Sequence, residues 1–241
     1  MTREEFIGNL NKKEKAYFQD LITKATARGY KVHVKIVEYL ENAYASVEIN
    51  DLNVIVRILD SKARENYHLI HELKHFEFNM RYPRSVRPKK YSEKYVMVLA
   101  TLLNNLHHHL LLEDEIDKEF NYDRTKNLIK FDSNFQESTK KYITGLLNNL
   151  NNKLSFIQYL SIVIDSKIRR INYEDIIKYH VTPIKEIDKL ADEIVRLRTS
   201  LDLENESQTE NFFNQAIKII QKESNRIFKE NVIFMRKLQI C

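Results

Sequence analysis

The chain holds one cysteine, three glycines and three prolines in 241 residues, and each shortage excludes something. A lone thiol, Cys241, cannot build a disulfide framework within the chain or a cysteine-based zinc site, which fits a reducing compartment. So few glycines and prolines leave few breaks in regular structure, and a mainly helical protein with short connections is expected. There is no glycine-rich phosphate loop. No apolar run approaches the ~20 residues of a membrane span, and the stretch from Met1 to Phe6 lacks the basic-then-apolar order of a secretory signal. A cytoplasmic protein with no membrane partner is expected. One-sided charge is lacking too: 39 basic residues are interspersed with 34 acidic ones, for a formal charge of +5 and a pI near 9.0. That mixture is a solvated surface, so nucleic acid is not expected as a partner.

What the chain does have is His71-Glu72-Leu73-Lys74-His75. Two histidines four residues apart project from one face of a helix, so their ring nitrogens can converge on a single Zn²⁺. Glu72 stands between them, placed to take a proton from a water whose pKa the metal lowers, which is the chemistry of hydrolysis. Three fixed positions of these types recur by chance only about 0.02 times in a chain of this length, so the motif is read as functional. His68, one turn before His71, is a candidate substrate contact.

The surrounding pattern frames that helix. A first helix runs from a cap at Thr2 and Glu5 to Gly29. Alternation in Val32, Val34 and Ile36, then Ala45, Val47 and Ile49, then Leu52, Val54, Val56 and Ile58, predicts half-buried strands with a tight turn at Asn50-Asp51. Such a strand beside a metal-bearing helix offers an edge on which an extended peptide could lie. The helix that carries the motif is capped by Asp60 or Ser61 and runs to about Met80, with Leu69, Leu73, Phe76 and Met80 as its core stripe. A loop with two prolines and five basic residues covers 81–91.

A long helix follows, with Tyr95, Leu99, Leu102, Leu106, His109, Glu113, Ile116 and Phe120 on one stripe. His109 and Glu113 stand where leucine would be expected. A buried carboxylate and imidazole need partners, and a catalytic zinc takes three protein ligands, so one of the two should complete the site of His71 and His75.

A strand pair, an H-E-x-x-H helix and a following helix that contributes a Glu resemble the zincin metallopeptidases, specifically the gluzincin branch, over about residues 30 to 120. The resemblance implies Glu113 as the third metal ligand, with His109 orienting ligands from outside the shell or serving as the alternative ligand; His107, His108, Asp114 and Glu115 are further alternatives. It implies Glu72 as the general base and Zn²⁺ as the cofactor. Lys74 departs from the family, where a small residue often precedes the second histidine, and suggests a more open outer face. Small intracellular zincins that cut regulators are the nearest functional analogy.

Beyond residue 121 the character changes. A short extended stretch at 127–131 precedes helical spacing at 138–150, 154–167, 173–179, 183–201 and 209–238. The expected fold is α+β and predominantly helical: a small antiparallel strand unit packed on the motif helix and a long second helix, then an all-helical C-terminal lobe. The expected division is 1–122 and 123–241. The expected function is a zinc metallopeptidase acting on an intracellular protein or peptide, with C-terminal helices that offer a surface for a homodimer. The alternative is a non-catalytic helical interaction protein, binding protein or nucleic acid, with a structural or degenerate metal site.

Overall fold

The computed structural model describes residues 9–40, 44–60, 66–82, 84–89, 93–122, 133–168, 184–202, 205–229, 234 and 236–241. It is predominantly helical with a small strand unit, as the scarcity of glycine and proline implies. The expected cap at Thr2 and the segments at 127–131 and 173–179 lie outside the described residues. Two compact units are present: Met1–Arg81 with Leu111–Asn127, and Tyr82–Leu110 with Leu128–Cys241. The expected division was a single cut after residue 122. One boundary between the compact units falls inside the long helix, which runs unbroken across residues 110 and 111.

In the first unit, helix α1 (Lys12–Ala27) opens on a capping box. The Asn11 side chain accepts from the Lys13 and Glu14 backbone amides, and the Glu14 carboxylate accepts from the Asn11 amide at 2.8 Å. This satisfies donors that the first turn leaves without helical partners. Gly29, at φ +85°, turns the chain out of the helix in a conformation that a Cβ would strain.

Strands β1 (Lys31–Val37), β2 (Ala45–Asn50) and β3 (Asn53–Leu59) form a sheet in the order β1-β3-β2. The expected antiparallel unit is the β2–β3 hairpin, turned at Asp51 with φ 52°. β1 adds to the far side of β3 in parallel, because the connection from β1 to β2 crosses to the other edge before the hairpin returns. Period-two alternation puts Val54, Val56 and Ile58 on one face of β3, each fully buried. Phe18, Leu21 and Ala25 of α1 belong to the same core, as do Leu69, Leu73 and Phe76 of α2 (Asn66–Arg81). The core stripe of the motif helix is therefore what holds it to the sheet.

Lys74 does not open the outer face of this helix. It is 1% exposed, with its ammonium 2.9 Å from Glu77, 2.9 Å from Glu119 and 3.4 Å from Glu115 and 4.7 Å above the Tyr17 ring. Burial alone would lower its pKa, but the contacts with Glu77 and Glu119 outweigh that and raise it. A long cationic side chain is thus used to join α2 to the last turns of α3 (Lys94–Phe120). Lys74→Met keeps the volume but leaves the carboxylates without their cation. Because those partners are partly solvated, a loss of about 2–3 kcal/mol is expected, below the full cost of breaking a buried pair. A denaturant titration checks this: an unchanged midpoint would mean that the cluster carries no stability.

The second unit holds the N-terminal part of α3 with α4 (Ser133–Asn148), α5 (Lys153–Ile168), α6 (Lys185–Thr199) and α7 (Glu206–Phe228). Its core draws Leu99, Leu103 and Leu106 of α3, Phe156 and Leu160 of α5, Ile194 of α6 and Phe212, Phe213 and Ile220 of α7. Two expectations are corrected here. The stretch 81–91, read as a loop, contains strand β4 (Val86–Pro88), and the last helix, read as continuing to 238, ends at Phe228. Lys229 takes a left-handed conformation at φ 52°, and the terminus forms β5 (Leu238–Ile240), antiparallel to β4. The Asn104 side chain fastens β4 by accepting from the Val86 amide and donating to its carbonyl, each at 2.9 Å.

Candidate metal centre

The motif helix presents its two histidines as the spacing requires. His71 and His75 are 9% and 8% exposed, their ring centroids are 4.8 Å apart at 78°, and their Nε2 atoms face each other at 3.2 Å. Two nitrogens bound at about 2.0–2.1 Å to one tetrahedral zinc would sit about 3.3 Å apart. The pair therefore has the separation of two ligands on one ion. A shared proton could also bridge such a gap, but that arrangement would have no use for a third imidazole.

A third imidazole is there. One ligand atom from each of His71, His75 and His109 lies within 4.8 Å of the others, and all three residues are buried, so the cluster could hold a metal ion. His109 stands on α3, one turn before Glu113. Glu113 is placed differently: its Oε1 lies 3.4 Å from His71 Nδ1, the nitrogen away from His75, and its Oε2 accepts from the Tyr67 hydroxyl at 3.0 Å. His109 repeats the pattern, with Nδ1 3.2 Å from Asp165 Oδ1 of α5. Both rings thus have a carboxylate at Nδ1, hydrogen-bonded at His109 and at ion-pair distance at His71. A proton on that nitrogen leaves the lone pair on Nε2, the tautomer that metal ligation needs.

The other candidates are distributed around this cluster. Glu72 is half-buried on the motif helix, adjacent to His71. His68 is also half-buried, its ring 5.3 Å from Tyr44, just before β2, and 5.6 Å from Tyr67. Asp114 is exposed, and Glu115 pairs with Lys74 and with Arg81.

His107 and His108 point elsewhere. His107 is 1% exposed, and its ring lies 5.3 Å from that of Phe213 and 6.5 Å from that of Tyr82. Its carbonyl accepts from the buried Arg198 guanidinium at 2.8 Å. Burial lowers its pKa to about 2, assisted by the charges of His108 and Arg198. His108 is lowered to about 3, again mainly by burial. Among the described residues neither ring nitrogen of His107 meets a hydrogen-bond partner, so this imidazole is a polar group in an apolar place. His107→Leu is expected to stabilise the protein by about 1 kcal/mol at neutral pH. At pH 5 the unfolded chain protonates this histidine and the folded one does not, so the wild type loses stability as pH falls below about 6.5, and the gain from leucine grows. Melting both proteins at pH 7 and pH 5 checks the sign: a destabilised variant at both would contradict it.

Two residues of this arrangement are absent from the sequence reading. Helical spacing alone puts Tyr67 beside His71, one turn before it on the same helix. Asp165 gives no such signal, since it meets His109 across 56 residues of chain in a helix whose apolar spacing carries no sign of that contact.

No protein-family model, no curated protein and no solved structure matches the chain.

Proposed function

We propose that the protein is a zinc-dependent peptidase of zincin-like chemistry, with His71, His75 and His109 as the ligands and Glu72 as the general base. The observation that carries this reading is the convergence of the two motif imidazoles at tetrahedral spacing with a third imidazole from the next helix. Among the described residues the cluster has three members, the number that a catalytic zinc takes from protein while it keeps a position open. When bound, zinc lowers the pKa of a water and polarises a carbonyl. Glu72 accepts the proton that this water gives up and delivers it to the leaving amine. Glu113, which accepts from the Tyr67 hydroxyl, places its charge behind the His71 ring at Nδ1. This assignment exchanges the roles that the gluzincin resemblance implies for Glu113 and His109.

A peptide substrate has a natural place to lie. β2 pairs with β3 on one side, and among the described residues its other edge has no strand partner. β2 packs beside the motif helix, and Tyr44, just before it, contacts His68 of that helix. An extended chain pairing with that edge would be carried toward the histidines, with His68 as a contact for it. No helix of the described residues is long and apolar enough to cross a membrane, and the proposed substrate is a protein or peptide. The test is to load the purified chain with zinc, measure metal content, and follow cleavage of a mixed peptide library. One zinc per chain, with cleavage that chelation abolishes and zinc restores, is expected. A chain that retains no zinc, or cleavage indifferent to chelation, would overturn the reading.

A further inference from the structure

We propose that Asp165 is a positioning residue for the metal centre: its carboxylate, supplied by α5, fixes the tautomer and ring angle of His109. The proposal rests on the reading of His109 as a ligand. Asp165 Oδ1 lies 3.2 Å from His109 Nδ1, so a proton on Nδ1 is shared with the carboxylate and Nε2 carries the lone pair. The contact is not a by-product of burial, because the Asp165 side chain is 42% exposed while that of His109 is 6% exposed.

Packing alone does not hold the ring on this side. His109 and Asp165 line a cavity of about 200 Å³ together with Leu102, Leu106, Ile162 and Ile164. An imidazole that borders open space can swing about its side-chain torsions, and a carboxylate on Nδ1 removes that freedom. A ligand freed to rotate has to be reordered when metal binds, which weakens affinity without altering the ligand set.

Zinc affinity measured by competition with a chromophoric chelator tests the idea, using wild type, Asp165→Ala, Asp165→Asn, His109→Ala and the double variant His109→Ala/Asp165→Ala. Asp165→Ala is expected to bind zinc about 10–100-fold more weakly. Asp165→Asn, which keeps an acceptor oxygen but not the charge, should lose less, and it preserves the side-chain shape if the alanine variant fails to fold. In the His109→Ala background, removal of Asp165 should cost nothing further, a non-additivity that a merely structural role would not produce. The absorption bands of the cobalt-substituted protein should shift in Asp165→Ala. Wild-type affinity in both Asp165 variants, or an additive loss in the double variant, overturns the positioning role and leaves the metal centre standing. A wild type that binds no zinc overturns the metal centre itself, and the positioning role with it.

Discussion

His109→Ala is expected to weaken zinc binding about a thousandfold, and Glu113→Gln no more than about tenfold. The first figure follows from spreading the roughly 10–16 kcal/mol of a tight zinc site over its ligands, so that loss of one costs about 4 kcal/mol. The second follows from the position of Glu113. Its Oε1 faces the Nδ1 of His71 at 3.4 Å, behind the ring rather than among the converging nitrogens, and glutamine keeps an acceptor there. Removing it altogether in Glu113→Ala should cost about 10–100-fold, as for other groups that orient a ligand from outside. Titrating each variant with zinc against a competing chelator separates the cases. The reverse order, with Glu113 decisive and His109 dispensable, would restore the ligand set that the gluzincin resemblance implies.

Glu72→Gln is the second large effect. The amide matches the carboxylate in size, so α2 and its ligands keep their places and zinc content should equal that of the wild type. What glutamine cannot do is accept a proton. A general base typically contributes 10²–10⁴-fold, and peptide hydrolysis is expected to fall by about that factor. The loss should appear in kcat with little change in KM, because the proton moves only in the transition state. Undiminished hydrolysis with zinc retained would remove Glu72 from the mechanism and leave a metal site with some other task.

How much of this was legible in the sequence depends on the distance over which each feature is decided. The alternation of Val54, Val56 and Ile58 gave their shared buried face, and Leu69, Leu73 and Phe76 marked the side of α2 that meets the sheet, because one element's own period decides both. The motif likewise brought His71 and His75 together from their spacing alone. Pairings between distant segments were hidden. β4 and β5 are three residues each, too short for alternation to register, and they join residue 86 to residue 240. Lys74 reads as a solvent-facing side chain because two of the three glutamates that hold it, Glu115 and Glu119, lie on α3.

The choice between His109 and Glu113 as the third candidate ligand shows the same limit in finer detail. His109 and Glu113 occupy one stripe, a single turn and roughly 6 Å apart. Periodicity shows that both face inward but not which of them reaches the pair on α2. That choice is made by how far along its axis α3 crosses the motif helix, a tertiary quantity. Asp165 meets His109 through the packing of α5 on α3, another tertiary quantity, which is why it had no signal at all.

The measurement that bears most directly on the central claim is X-ray absorption at the zinc edge of the loaded protein, which counts imidazoles through their multiple scattering. Three imidazoles with one further light-atom ligand are predicted. Two imidazoles, a shell closed by a fourth imidazole, or a preparation with no bound zinc would contradict it.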